Sequence, residues 1–107
     1  MSPTFDHPPF RVVSETSAAA WRVVAEGEID IASVPELEAA LESAERSAAA
    51  AVVLDLSRVT FIDSSGIRAL VECARRDSSG GRFSIVPGPA VDRVIDVTGL
   101  RDRLPLR

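Results

Sequence analysis

The sequence predicts an α/β domain, a small mixed β-sheet with helices packed against it, in the order β-β-α-β-α-β-α. Three observations carry that expectation. Ala50 to Leu56 is an almost wholly apolar run with Asp55 its only charge, as in a strand buried on both faces. Soon after it, Ile67, Leu70, Val71 and Ala74 recur at i, i+3, i+4, i+7, the spacing of one helix face. Helical stripes and short strand-like runs also precede and follow this pair, and such alternation builds a sheet with helical crossovers.

Met1 to Pro9 carries three prolines and no periodicity, so residues 1–9 are expected to be a loose tail, with the domain over 10–107. Phe10 to Ser14 is the first expected strand and Glu15 to Ala20 a turn. Trp21 to Ile29 is the second strand, with Val23, Ala25, Gly27 and Ile29 on one face and Arg22, Val24, Glu26 and Glu28 on the other. These two form an antiparallel hairpin. Ser33 opens the first helix, with Glu36 at the capping-box spacing and Pro35 in the first turn. Val34, Leu37, Leu41 and Ala44 make its apolar stripe, and Glu36, Glu38, Glu42 and Glu45 its solvated side.

After the apolar strand, Ser57 to Phe61 reads as a connector, and Ile62 leads into the polar cluster Asp63-Ser64-Ser65-Gly66. The helix that follows is expected to stop near Ser79, because Gly80-Gly81 comes next, and Arg75 and Arg76 near its end suit the dipole. Arg82 to Val86 is a short strand, parallel to its predecessors through right-handed crossovers. Pro89 sits in the first turn of a third helix with the stripe Val91, Val94 and Ile95. Gly99 reads as its C′ residue and Leu100 as the apolar residue packing back at C″. Leu104 and Leu106 are expected to cover an edge of the core.

At 107 residues the chain fits one domain, and 46% hydrophobic residues suffice for one core. A net charge of −4 without a basic block argues against nucleic acid as a partner. The single cysteine, Cys73, cannot close an internal disulfide. The N-terminus lacks the regions of a signal peptide, and no apolar run approaches membrane-spanning length. A cytoplasmic domain with no direct membrane contact, and a monomer, is the expectation.

Enzymatic chemistry finds little support. The one histidine, His7, lies in the expected tail, so a Ser-His-Asp triad lacks its base. One cysteine and one remote histidine make no zinc site, and no phosphate-loop or dinucleotide fingerprint occurs, so no metal and no cofactor is expected. What remains is the loop that places two hydroxyls and a carboxylate at a helix start, where unpaired N–H groups carry partial positive charge. Ser64 or Asp63 as a plain N-cap would satisfy that position without any function. Gly66 is less expected there, since it costs about 1 kcal/mol relative to Ala in a helix. Its missing side chain permits close approach of another backbone or a partner.

The stretch Leu54 to Ile67, LDLSRVTFIDSSGI, resembles the signature of the STAS domain, and within it the bacterial anti-sigma factor antagonists. Gly27-Glu28-Ile29-Asp30 resembles the family's segment at the end of the second strand, and Val97-Thr98-Gly99-Leu100 the segment closing its third helix. The resemblance spans about Phe10 to Leu104. It implies a non-enzymatic protein switch. The unmodified domain binds an anti-sigma factor serine kinase and so releases a sigma factor. Phosphorylation of the serine after the aspartate, here Ser64 with Ser65 the second choice, ends binding, and a phosphatase restores it. Asp30, Asp63, Ser64, Ser65, Gly66 and Arg68 form the partner-binding set that follows. Asp30 also reads as an ordinary turn residue, Asp63 as a cap, and Arg68 as a solvated surface arginine, a partner contact or a mate for the phosphate. The alternative function is a STAS module that binds constitutively, in a stress-signalling or lipid-transport complex, without serine phosphorylation.

Overall fold

The structure is a computed structural model that describes residues 10–77 and 81–107. The expected tail over 1–9, with His7, lies outside the described residues, as do Ser79 and Gly80. The elements are β1 (Phe10–Thr16), β2 (Ala20–Ile29), α1 (Val34–Glu45), β3 (Ala51–Ile62), α2 (Ser64–Arg76), β4 (Phe83–Val86) and α3 (Gly88–Thr98), followed by a 3-10 turn at Arg101–Arg103. The sheet order is β1-β2-β3-β4, with β1 antiparallel to β2 and the other neighbours parallel.

Alternation along the strands sends Val23 and Ala25 of β2, Val52, Leu54 and Leu56 of β3, and Phe83 and Ile85 of β4 into one core. Leu37, Leu41 and Ala44 of α1, Ile67, Leu70 and Cys73 of α2, and Val91 and Ile95 of α3 close it. Val52 to Leu56 is buried throughout, as the apolar run predicts. Asp55 tolerates this because Arg22 on the neighbouring strand reaches it at 2.6 Å, and the Ser57 N–H and hydroxyl donate to its other oxygen. Burial raises the Asp55 pKa, but those hydrogen bonds and the guanidinium more than offset it, and the net shift is downward.

Three local expectations are corrected. Ser57 to Phe61 is not a connector; β3 continues to Ile62. Val24 pairs with Asp55 but Glu26 with Arg58, and Gly27 pairs with Val59 but Glu28 with Phe61. Each step leaves one extra residue on β3, a bulge that breaks the period of two and hides the strand in the sequence. The capping box at Ser33 does not form. The Ser33 hydroxyl instead donates to Glu28 O at 3.0 Å and accepts the Asp30 N–H at 2.9 Å. Helix α2 ends at Arg76, short of the expected boundary, because Asp77 leaves the helical region and its carboxylate accepts the Phe83 N–H at 3.1 Å.

The end of α3 follows expectation. Gly99 takes the left-handed conformation, φ 72°, with its N–H on Asp96 O, while the Leu100 N–H reaches Ile95 O at 3.2 Å. Leu104 is buried, and Pro105 to Arg107 pair with Ile85 along the outer side of β4, so the chain's end closes that edge.

Candidate functional site

Adjoining parallel strands β2 and β3 end side by side, joined by the Asp63 N–H donating to Ile29 O at 3.1 Å. An aspartate follows each strand, and each carboxylate organises the turn into the next helix. Asp30 Oδ1 accepts the N–H groups of Ala32 at 3.0 Å and Ser33 at 3.1 Å. Asp63 has extended backbone and is the N-cap of α2. Its Oδ1 accepts the Ser65 N–H at 2.9 Å, the Gly66 N–H at 3.1 Å and the Ser65 hydroxyl at 2.6 Å. The Ser65 hydroxyl bond, with those two N–H donors, holds the Asp63 carboxyl below its ordinary pKa, so it stays ionised at neutral pH.

The two serines therefore differ. Ser65 is half-buried with its hydroxyl committed to Asp63. Ser64 is exposed, and its hydroxyl has no hydrogen-bond partner among the described residues. Arg68, one turn on, is also exposed and makes no ion pair among the described residues. Gly66, expected in the partner-binding set, is buried. A Cβ there would come within 2.6 Å of Ile62 Cγ1 and 2.7 Å of Ile29 Cγ2. The close approach it permits is thus made by the ends of the chain's own β2 and β3, which sets how tightly α2 seats on them.

Two residues at this end of the sheet escaped the sequence reading. Ile31, in the turn after Asp30, is 78% exposed, and Phe61, near the end of β3, is 49% exposed. Both are large apolar side chains left at the surface beside a polar turn. Phe61 carried a weak signal in its motif position; Ile31 carried none.

The opposite end of the sheet is built differently. A cavity of about 130 Å³ there is lined by Glu45, Val52, Cys73, Arg76, Asp77, Arg82 and Phe83. Its charges are engaged internally: Arg76 pairs with Glu45 at 3.1 Å, and the Cys73 thiol donates to the same carboxylate. Burial and that carboxylate push the Cys73 thiol up to about 12, so it is protonated and unreactive. Among the described residues no cluster of His, Cys, Asp and Glu has the makings of a metal site, and no helix is long and apolar enough to cross a membrane.

A four-stranded sheet of this order, with three helices and a capped polar turn where β3 enters α2, is the layout of a SpoIIAA-like α/β domain. The chain belongs to the STAS domain family: residues 13–106 match the family described as Mlab, STAS domain. Among curated proteins it is similar to the anti-sigma-B factor antagonist of Staphylococcus epidermidis, 29% identical over 84 residues, covering 77% of this chain and 78% of that one. Among solved structures it resembles an anti-sigma factor antagonist from Mycobacterium paratuberculosis at 33% identity and TM-score 0.80, covering 91% of this chain and 84% of that one. The anti-sigma factor antagonist SpoIIAA in its unphosphorylated form shares the fold at 20% identity and TM-score 0.69, over 91% of this chain and 86% of that one.

Proposed function

We propose that this chain is an anti-sigma factor antagonist whose binding is switched by phosphorylation of Ser64. Unmodified, it docks on an anti-sigma factor kinase in the cytoplasm and so frees a sigma factor. The kinase transfers a phosphoryl group to Ser64, the complex parts, and a phosphatase restores the hydroxyl. Relatives named as antagonists support this reading. The observation that carries it is the split between the serines. The Ser65 hydroxyl is held by Asp63 at 2.6 Å, whereas Ser64 is exposed with its hydroxyl free among the described residues. A kinase needs a hydroxyl it can reach without breaking a charge-assisted hydrogen bond.

The docking surface comprises Asp30, Asp63, Ser64, Ser65 and Arg68, with Ile31 and Phe61 as its apolar contacts. Gly66 serves it from beneath. A phosphate adds about −1.5 to −2 charges. At the start of α2 the helix dipole favours that charge, so the fold tolerates it. A partner surface complementary to Asp63 and a neutral Ser64 does not, since it must desolvate the phosphate or meet it with like charge.

The test is intact-mass analysis after incubation with ATP and anti-sigma kinases from the same genome, on wild type, Ser64→Ala and Ser65→Ala. A single phosphate lost only in Ser64→Ala is expected. Loss only in Ser65→Ala would move the site by one residue. Binding to a kinase with no phosphate on either serine would replace the switch by a constitutive STAS module.

A further inference from the structure

Resting on that reading of Ser64, we infer that Arg68 is the on-chain counter-ion of the phosphoryl group, so that modification neutralises an arginine of the docking surface as well as adding charge to it. Ser64 is the first residue of α2 and Arg68 lies four residues on, a spacing that puts both on one face. Both are exposed. Arg68 has no ion pair among the described residues, whereas Arg76 on the same helix is committed to Glu45. The guanidinium is therefore available without breaking an existing pair.

The charges around it favour this use. Glu72 is the other residue at four-residue spacing from Arg68, but it makes no ion pair with it. That order, cation before anion along the helix, is the less favourable one; a phosphate on Ser64 supplies the favourable order, anion before cation. Asp63 flanks Ser64, but its Oδ1 is turned onto the N–H groups of Ser65 and Gly66. Asp30 is likewise engaged with Ala32 and Ser33. Neither carboxylate holds Arg68, and both add the negative potential that makes a neighbouring cation useful to a dianion. A guanidinium can meet two phosphate oxygens at once, which a flexible ammonium does less well.

The consequence is a switch with two parts. In the unmodified protein Arg68 is free to meet an acidic group on the kinase. In the modified protein it is drawn back onto the phosphate, so the partner faces new negative charge and loses a cation together.

The experiment uses the full chain with phosphoserine installed at position 64 by genetic encoding, so that it depends on no kinase. Phosphorus-31 NMR titration reads the second ionisation of the phosphate in the wild-type background, in Arg68→Gln, and in Glu72→Gln as a control. The exposed position of Arg68 makes loss of folding in Arg68→Gln unexpected, and far-ultraviolet circular dichroism checks it. Pairing predicts that Arg68→Gln raises this second pKa by about 0.3 pH unit or more, while Glu72→Gln does not raise it. In parallel, the Arg68 Nε–H resonance should shift on modification of the wild type. An unchanged titration in Arg68→Gln together with an unmoved Nε–H would overturn the inference. Failure of every kinase to modify Ser64 would instead sink the proposed switch and leave this chemical pairing intact, so the two failures are separable.

Discussion

Asp63 is the residue on which the turn depends. A carboxylate accepting three hydrogen bonds, from the Ser65 hydroxyl and the Ser65 and Gly66 N–H groups, is favoured in its charged form, and its folded pKa lies below the ordinary 3.8. The sign of the linkage follows. The carboxylate contributes stability that is present above the unfolded pKa and is lost as pH falls through the lower folded value. Asp63→Asn keeps a competent cap but does not titrate, so its stability at pH 7 should lie within about 1 kcal/mol of wild type. Urea denaturation from pH 7 to pH 2 should show the gap between the two closing below about pH 4. Parallel profiles would mean that the ionised cap adds nothing. Some acid dependence should survive in the variant, because Asp55 is also held below its ordinary pKa. At this scale the sequence was partly legible. Asp63 as a cap follows from its place before a helical stripe, and the cost of Gly66 in a first turn marks that residue as having a reason. That Ile62 and Ile29 close in on it is a packing fact between strand ends far apart in sequence.

Helix α1 shows what an element owes to residues outside it. Its last turn carries no basic residue, and Arg46 closes it with ordinary helical backbone, leaving carbonyls to be satisfied. Arg82, just before β4, supplies the donors. Its guanidinium reaches Ala44 O at 3.2 Å, Glu45 O at 2.9 Å, Ser47 O at 2.6 Å and Ala49 O at 3.0 Å. One side chain thus ties the end of α1 and the approach to β3 onto the start of β4. Arg82→Ala should cost about 2 kcal/mol, as for hydrogen bonds to a charged group. Arg82→Lys should recover only part, since an ammonium lacks the planar fork. Urea denaturation reads the loss, and faster hydrogen exchange at the Arg46 and Ser47 amides would place it at the helix end. Unchanged exchange there would assign the loss elsewhere. Nothing in the sequence points to this, because the spacing between Arg82 and its acceptors is set by the sheet and not by any local period. The same limit hid the second half of β3, where bulges break the alternation that marks a strand.

Across the whole molecule the two ends of the sheet have opposite characters. At the N-terminal ends of the parallel strands, arginines and carboxylates are locked into internal pairs and caps. At the C-terminal ends, the Ser64 hydroxyl and Arg68 are uncommitted among the described residues, and Ile31 and Phe61 are exposed. The order of elements, the core and the polar members of this end were legible in periodicity and motif; the exposure of two apolar residues was not, because sequence does not say which large side chains the fold leaves outside. On the proposed function, this asymmetry separates binding from folding. Ser64→Asp should lower affinity for the anti-sigma kinase a hundredfold or more, as a like charge across an interface costing several kcal/mol would. Its urea midpoint should match wild type, since an acidic residue suits the start of a helix. Phe61→Ala and Ile31→Ala should each weaken binding about 5- to 30-fold, from one to two kcal/mol of apolar burial on docking, again with little change in stability. Val97→Ala is the control: Val97 is 82% exposed but lies late in α3, which begins against β3 near Ser57 and runs back toward the other end of the sheet. Calorimetric titration with the kinase compares the four. Equal losses for Val97→Ala and Phe61→Ala would mean that exposure alone, and not position at this end, accounts for the effect, and that the docking surface lies elsewhere.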